Sequence, residues 1–405
     1  PLPDHLPRDV VTHSPDDHCS DCGGLLKRFG EDVSEVLEYV PARFKVVRHI
    51  RPKLSCSGCQ TIVQAPAMSR PIESGLAGPG LLTHVLVSKF ADHLPLYRQA
   101  VIYNREGVEL KRSTLADWVA QLGRLLDPLG QALGRYVLDG STVHADDTPI
   151  PVLEPGRGRT KTGRLWTYVR DERPAGQETP PAVWFQYSPD RKGIHPQQHL
   201  KRYRGALHAD GYAGFNHLYV NGDVIEVACW AHVRRKFYDI VQATGSPIAT
   251  EAIERIAMLY AIEKEVRGKS PEDRKAVRQA RAGPLLAELN AWLHQQLAVV
   301  SAKSSLAQAM GYTLPRWAAL TRYVDDGHLE IDNNAAERSL RTVALGRKNY
   351  LFAGSDAGGE RAALMYSLIG TAQLNGLNPQ DYLSYVIERI ADHPINRKRL
   401  ANPTC

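Results

Sequence analysis

Two Cys-x-x-Cys pairs near the start of the chain constrain its fold more than any other feature of the sequence. The cysteines that form them are Cys19, Cys22, Cys56 and Cys59. Two β-type runs, 33–39 and 44–50, lie between the pairs. Each pair can form a turn that offers two thiolates, and a small sheet that joins the turns gives a tetrahedral four-sulfur site. The pattern predicts a zinc ribbon over residues 18–65 with a structural zinc ion; four buried thiols or a redox dithiol are the alternatives.

Length and composition indicate a soluble globular protein with several domains. The chain has 405 residues, of which 43% are hydrophobic and 23% charged, so about two to four domains are expected. No apolar run is long enough to span a bilayer and no signal peptide opens the chain, so we expect a cytoplasmic protein whose paired cysteines bind metal. The net charge of +6 is compatible with a nucleic-acid partner. Because the chain begins at Pro1, we expect it to be part of a longer protein.

Residues 66–140 have the pattern of a helical segment. Two helices surround a turn at Gly107, and the second is predicted to run over 114–126 behind an N-cap at Ser113. Two helices around a short glycine turn are similar to a helix-turn-helix unit. A DNA-contacting role and a purely structural linking role are both open for this segment.

Strands alternate with helices between 141 and 240. Three β-rich runs are followed by a short helix, a strand, a helical turn, a further strand and a helix. This is the element order of a ribonuclease H-like core, in which catalytic carboxylates lie on the first strand and directly after the fourth. Asp146 and Asp147 are neighbours on the first strand, so only one of them can face a given site, and Asp210 follows the fourth strand.

The predicted fold class is therefore α/β. A ribonuclease H-like catalytic core covers 141–361 and contains a helical insertion at about 241–325. A C-terminal helical segment with a basic tail, 362–405, follows the core, and a linker, 1–17, precedes the zinc ribbon.

The segment 330–361 is predicted to return the chain from the insertion to the core. Asp332, Asn333 and Asn334 are good N-caps for a helix that carries Glu337 one turn inside it. A basic turn and a glycine-rich loop, GSDAGGER, follow this helix. A carboxylate on a basic helix beside such a loop suits a site where a metal ion and a phosphate backbone meet. A surface helix with an intrahelical Glu–Arg pair is the alternative.

Such a core brings together the ends of the helices and strands that carry Asp146, Asp210 and Glu337. Three carboxylates can hold two Mg²⁺ or Mn²⁺ ions, of which one activates an attacking water or 3′-hydroxyl and the other stabilises the leaving oxygen in phosphoryl transfer. Oxygen ligands favour these ions over zinc. A solvated loop carboxylate is the alternative for each acid taken alone.

Over nearly its whole length, the sequence resembles the insertion-sequence 66 family of DDE transposases. The motifs that carry the resemblance are the Cys-x-x-Cys pairs, DHLPLYRQ, REGVEL, HADDTP, HADGYAGFN, CWAHVRRKF, DNNAAER, GRKNYLFAGSDAGGERAA and GLNPQDYL. The resemblance implies that Asp146, Asp210 and Glu337 are the metal-binding catalytic triad and that Asp147 takes the place of a supporting glutamate. Asp147 is shorter than that glutamate, and the tail lacks the Leu-Pro-Trp ending of the family. Family members also carry more sequence upstream.

Further residues are expected to support the site or to bind DNA. Cys229 and His232 lie three residues apart where a strand meets a helix, so a structural or supporting role is expected, with metal binding as the alternative. The residues expected to bind DNA phosphates and position the scissile strand are Arg234, Arg235, Lys236, Arg338, Arg347, Lys348, Asn349 and Arg361.

Together these features predict a bacterial transposase that cuts the ends of a mobile element and joins the freed 3′-hydroxyl to target DNA. The expected partners are double-stranded DNA of the terminal inverted repeats and the target, further copies of the chain and accessory proteins of the same element, with no membrane. The expected location is the nucleoid of the cytoplasm. A catalytically inactive DNA-binding remnant and a metal-dependent DNA nuclease are the alternatives, and the intact acidic trio disfavours the remnant.

Overall fold

The computed structural model describes residues 10–11, 21–22, 25, 32, 34, 44–55, 57–73, 75–156 and 158–393. The chain divides into two compact units, Pro1–Ile50 and Arg51–Cys405. A two-stranded sheet and a five-stranded sheet lie in the second unit. In the described part of the chain, no helix is both long enough and apolar enough to cross a membrane.

Cys59 of the second Cys-x-x-Cys pair lies in a β-hairpin. Strand β1 (Lys53–Ser55) pairs antiparallel with β2 (Ile62–Gln64), and the turn 57–59 lies between them. Cys59 closes this turn, is exposed, and lies 3.1 Å from the Thr61 hydroxyl through its Sγ atom. A zinc ribbon requires a cysteine thiol at the tip of a hairpin, and Cys59 lies at such a position.

The predicted strand at 44–50 is wrong. These residues form no strand, and their large aliphatic side chains are exposed. Because β-type side chains stabilise a strand by packing on a half-buried face, sequence preference alone does not produce one here. Cys22 lies in a turn and is exposed, whereas Cys19, Cys56 and the run 33–39, apart from one residue, lie outside the described residues.

Three helices precede the large sheet: α1 (Pro79–Phe90), α2 (Leu96–Arg105) and α3 (Arg112–Leu138). Helix α3 differs from the prediction at both ends. It begins before Ser113, which is therefore not its N-cap, and it continues through Pro128 for a further ten residues. The turn between α2 and α3 contains Gly107 at a positive φ of 84°, as a helix-ending glycine requires.

Tertiary packing explains the length of α3. A Cβ at Gly130 would overlap the Leu364 side chain, and a Cβ at Gly134 would lie 2.7 Å from the Trp184 ring. The second half of α3 thus lies directly against the body of the unit. Burial of this glycine face holds the helix together past Pro128, whose missing N–H group would otherwise favour a helix end.

The five-stranded sheet is mixed. Its strands are β3 (Thr142–Val152), β4 (Lys161–Arg170), β5 (Ala182–Ser188), β6 (Gly205–Ala209) and β7 (Val224–Ala228). They lie side by side in the order β5-β4-β3-β6-β7. Pairing is antiparallel from β3 to β4 to β5, and parallel from β3 to β6 to β7. Strand β3, which comes first in the chain among these five, is therefore the central strand of the sheet.

Helices connect the parallel strands in the order that the sequence predicts. Helix α4 (Ile194–His199) precedes β6, α5 (Asn216–Tyr219) lies between β6 and β7, and α6 (Trp230–Thr244) follows β7. Fully buried Trp230 and Phe237 on α6 belong to the apolar core that α6 shares with the helices after it.

The predicted insertion is helical throughout. Its helices are α7 (Pro247–Val266), α8 (Pro271–Val277), α9 (Gly283–Val299), α10 (Ser305–Thr313) and α11 (Trp317–Thr321), with a π-helical turn at Arg278–Ala282. They pack on α6 and on the β7 edge of the sheet. The chain then returns to the middle of the sheet through α12 (Asn334–Asn349), which contacts β3 and β4.

The segment GSDAGGER is helical, so the prediction of a glycine-rich loop is wrong. Helix α13 (Asp356–Leu374) begins inside it, capped by the Ser355 hydroxyl, which accepts the Gly358 N–H at 3.1 Å. A Cβ at Gly359 would overlap the Tyr187 ring on β5. This glycine therefore permits close packing of a helix on a strand. Helix α14 (Pro379–Ile390) ends the described structure, and the basic tail after residue 393 lies outside it.

Gly359→Ala is expected to destabilise the protein by about 1–3 kcal/mol, because the added methyl group forces α13 away from Tyr187. Gly358→Ala is the matched control, since its Cβ would meet its nearest neighbour at an ordinary 3.6 Å and alanine is a better helix former. Urea unfolding of both variants measures the difference. Equal midpoints for the two variants would contradict this account of the segment.

Candidate active site

The two neighbouring aspartates of β3 have different surroundings. Asp147 forms ion pairs with Arg164 at 3.0 Å and with Arg191 at 2.9 Å. Asp146 instead accepts the backbone N–H of Asp147 at 2.7 Å through its Oδ1 atom. The two neighbouring carboxylates therefore have different partners.

Asp146 lies on β3, and Asp210 directly follows β6, the parallel strand next to it. His144 on β3 is in register with His208 on β6, and their buried rings stack with centroids 4.3 Å apart. Each aspartate lies two residues beyond its histidine, and alternation along β3 places the Asp146 side chain on the same face as His144. Asp210 directly follows β6, and its Oδ1 atom accepts the Tyr212 N–H at 2.9 Å.

Residues before α12 attach this helix to β3 beside Asp146. Asn333 occupies the N-cap position, but its side chain makes no capping bond. Its Nδ2 donates to the Ala145 carbonyl oxygen at 2.8 Å, and its Oδ1 lies 3.2 Å from His144 Nδ1. The buried side chain of Asn333 thus joins the start of the helix to the central strand, and Glu337 follows in the first turn.

Asp210 and Glu337 are close enough to Asp146 to affect its pKa. The pKa of Asp146 is raised from 3.8 to about 7, chiefly by burial; the hydrogen bond from Asp147 opposes this increase, and the negative charges of Asp210, Asp147 and Glu337 contribute to it. Carboxylates crowded in a partly buried place repel one another unless protons or cations neutralise them. All the donors are oxygens, which fits Mg²⁺ or Mn²⁺.

Asp146→Asn is expected to stabilise the metal-free protein at alkaline pH. The pKa of the Asp146 carboxyl is higher in the folded protein than in the unfolded chain, so the unfolded chain loses the proton at lower pH. The parent protein therefore loses stability as the pH rises from 3.8, the ordinary pKa, to about 7, the pKa in the folded protein. The amide of the variant does not titrate and avoids this loss, so above about pH 7 the free energy of unfolding of the variant should exceed that of the parent by at most about 4 kcal/mol. Thermal unfolding in chelator across this pH range measures it. A difference that does not change with pH would contradict the assignment.

Arg191 is a residue near the acids that the sequence analysis missed. Its guanidinium binds Asp147 and stacks 4.2 Å from the centre of the Tyr212 ring. Burial lowers its pKa, but the hydrogen bond and charge of Asp147 outweigh this effect with a further contribution from the Asp210 charge, so that the pKa is raised overall. Its side chain is 40% exposed, so a cation remains accessible at the rim of the acidic site.

The helical region between α6 and α12 also contacts Asp210. The Tyr312 hydroxyl on α10 donates to the backbone carbonyl of Asp210 at 2.6 Å. Arg316 and Lys236 stack on the Tyr312 ring at 4.4 Å and 4.3 Å from its centre. Tyr312 and Asp210 are about a hundred residues apart in sequence, so no local pattern could have predicted this contact.

The predicted supporting pair, Cys229 and His232, lies beside Glu337. Cys229 is buried, and its Sγ accepts the Asn333 N–H at 3.1 Å. His232 Nε2 is 3.7 Å from Glu337 Oε1. Burial raises the pKa of the Cys229 thiol to about 12. The sequence analysis predicted the pair but not its contact with the third acid.

The predicted DNA-binding residues have different surroundings. Arg234 and Arg235 line a cavity of about 630 Å³ together with His232 and Glu337. Arg338, next to Glu337 in sequence, lines a separate cavity of about 240 Å³.

The others are distributed along α12 and α13. Arg347 donates to the Pro149 carbonyl oxygen at 2.6 Å, and Lys348 and Asn349 are exposed. The Arg361 side chain lies against Gly123 of α3, and burial lowers its pKa.

Comparison with known proteins gives consistent matches along the chain. Residues 74–361 match the model of the Transposase IS66 family, residues 16–60 that of the zinc-finger binding domain of transposase IS66, and residues 367–399 that of the IS66 C-terminal element. The uncharacterized protein y4hP of Sinorhizobium fredii is 41% identical over 98% of this chain and 75% of its own length. The uncharacterized protein y4jD of the same organism is 43% identical over 96% of this chain and 78% of its own length.

Proposed function

Because the chain belongs to the insertion-sequence 66 family of transposases, we propose that it cleaves and joins DNA at the ends of a bacterial mobile element. The proposal is supported by three carboxylates that lie on β3, directly after β6 and in the first turn of α12. Asp146, Asp210 and Glu337 are far apart in sequence, yet Asp210 and Glu337 both raise the pKa of Asp146.

The sheet supports a ribonuclease H-like core. Its antiparallel β5-β4-β3 half and parallel β3-β6-β7 half have the order expected of that core, with acids on the first strand and directly after the fourth. The helical region between α6 and α12 is then an insertion in this core. Tyr312, which contacts Asp210 from this region, would help to position the second acid.

In the proposed reaction the three carboxylates hold the catalytic ions. Mg²⁺ or Mn²⁺ bound there supplies an activated water or 3′-hydroxyl and stabilisation of the leaving oxygen. Asp147 would not bind an ion itself, because Arg164 and Arg191 already occupy its carboxylate. It would instead hold Arg191 at the rim, where the guanidinium can bind a DNA phosphate.

The zinc ribbon is proposed to be structural. The match to the zinc-finger segment of the family suggests zinc, and the exposed Cys22 and Cys59, each in a turn, fit thiolate ligation. Cys19 and Cys56 would complete the four-sulfur site.

The proposed partner is double-stranded DNA at the terminal inverted repeats and at the target. Exposed Arg234 and Arg235 beside Glu337 would hold phosphates near the scissile bond. Assembly of several copies on DNA, help from accessory proteins of the same element and a location on the nucleoid are further parts of the proposal.

Reaction products separate a transposase from its alternatives. Labelled DNA that carries the terminal repeat of the parent element is incubated with the protein, Mg²⁺ and a target plasmid. We expect cleaved ends that become joined to the plasmid, and neither product from Glu337→Gln. Cleavage without joining would indicate a nuclease, and binding without either product a DNA-binding remnant.

A further inference from the structure

Three potential metal ligands of different chemistry meet beside the carboxylate trio. Cys229 begins the turn from β7 into α6, His232 lies one helical turn later, and Glu337 comes from α12. One ligand atom from each residue lies within 4.8 Å of the other two. Two separate elements therefore direct a thiol, an imidazole and a carboxylate towards one point.

Packing holds this arrangement in place. Cys229 is 2% exposed, and the Asn333 N–H that points at its sulfur would stabilise a thiolate. The same Asn333 fixes the start of α12 to β3 through its side chain. Both elements that supply ligands are thus fixed by one residue, which limits the reorganisation needed to bind an ion.

The ring nitrogens of His232 have hydrogen-bonding capacity that the described residues do not use. Its Nδ1 atom is buried and has no hydrogen-bond partner among the described residues. Its Nε2 atom is 3.7 Å from Glu337 Oε1, which is longer than a hydrogen bond. An ion between the three side chains would give His232 a strong interaction that the protein alone does not provide.

We propose that Cys229, His232 and Glu337 bind one zinc-class ion, separate from the zinc of the ribbon. A mixed sulfur, nitrogen and oxygen set selects zinc over Mg²⁺, and three protein ligands with one open position are typical of non-structural zinc sites. The cavity of about 630 Å³ beside His232 and Glu337 leaves that fourth position open to water. On binding, the Cys229 thiol releases its proton to solvent and its sulfur bonds to the ion.

This site shares Glu337 with the proposed catalytic trio. A zinc ion that holds Glu337 would compete with Mg²⁺ for that carboxylate, so we expect added zinc to inhibit DNA cleavage in the parent protein. The inhibition rests on the proposed function, whereas the zinc site itself does not.

Zinc content tests the site without any DNA substrate. The full chain and two variants, Cys229→Ser and His232→Gln, are equilibrated with micromolar zinc, freed of unbound metal, and measured by elemental mass spectrometry. We expect each variant to hold about one zinc ion fewer per chain than the parent, whatever the occupancy of the ribbon. His217→Gln, which changes an exposed histidine away from the three ligands, should hold as much zinc as the parent.

Equal zinc content in the parent and in His232→Gln would overturn the proposal. His232 is 25% exposed, so its replacement by Gln should preserve the fold, and a melting curve in chelator that matches the parent checks this. A chain that loses one zinc ion in both variants but never cleaves DNA would support this site and count against the proposed function. DNA cleavage by the parent together with unchanged zinc content in both variants would support the proposed function and count against this site.

Discussion

Asp210→Asn is expected to slow DNA strand cleavage by about 10³-fold while leaving DNA binding unchanged. The amide keeps the size of the side chain and can still accept the Tyr212 N–H, so the local fold should persist. It removes the negative charge that would hold a divalent ion beside Asp146. Loss of a metal-binding carboxylate removes several kcal/mol of transition-state stabilisation, and about 4 kcal/mol corresponds to a factor of 10³.

Asp239→Asn is the matched control for this variant. Asp239 is an exposed aspartate on α6, outside the carboxylate trio. Its replacement should leave the cleavage rate within about twofold of the parent, because a solvated surface charge has little effect on the reaction. Initial rates at saturating Mg²⁺ on labelled element-end DNA measure both variants. Comparable rates for the two would show that Asp210 holds no catalytic ion.

Arg278→Met is expected to destabilise the protein by about 3–5 kcal/mol, because it leaves a buried carboxylate without its main partner. Arg278 is fully buried and binds both oxygens of Glu263, at 2.8 Å and 2.6 Å. It also donates to the carbonyl oxygens of Tyr323 and Asp326, near the end of the insertion. Breaking this network should loosen the segment that leads back to α12.

Arg281→Met is its matched control from the same π-helical turn. Arg281 pairs with Glu265, but both side chains are about half exposed, so water and salt screen the pair. This variant should unfold at nearly the urea concentration of the parent. Urea unfolding followed by tryptophan fluorescence compares them, since Trp230 and Trp292 lie in the core of this region. Equal shifts in both variants would contradict the stabilising role of the buried network.

Local sequence patterns predicted the elements that carry the three acids. The β-run at the HADDTP motif is β3, Asp210 directly follows β6, and Glu337 lies in the first turn of α12. Each of these depends on short-range signals, namely strand alternation, a strand end before a glycine and helix-forming residues after an N-cap position. Such signals depend on only a few neighbouring residues, and the folded protein contains the elements that they predict.

Tertiary packing overrode local signals elsewhere. Gly359 suggested a loop, but close contact with the Tyr187 ring makes it a helix position. The helix predicted over 114–126 was expected to end there, but α3 continues through Pro128 because its glycine face packs against Trp184. Asn333 suggested a side-chain cap, but its amide bonds to the backbone of β3 instead. In each case the partner is distant in sequence and has no local signature.

The most direct test of the central claim uses a sulfur atom in the scissile phosphate. The claim is that Asp146, Asp210 and Glu337 together bring divalent ions to this phosphate. Sulfur in place of a non-bridging oxygen binds Mg²⁺ poorly but accepts the softer Mn²⁺. We predict that sulfur substitution strongly slows cleavage in Mg²⁺ and that Mn²⁺ restores the rate relative to unmodified DNA. The same relative rate in both ions would contradict direct contact between the bound ions and the phosphate.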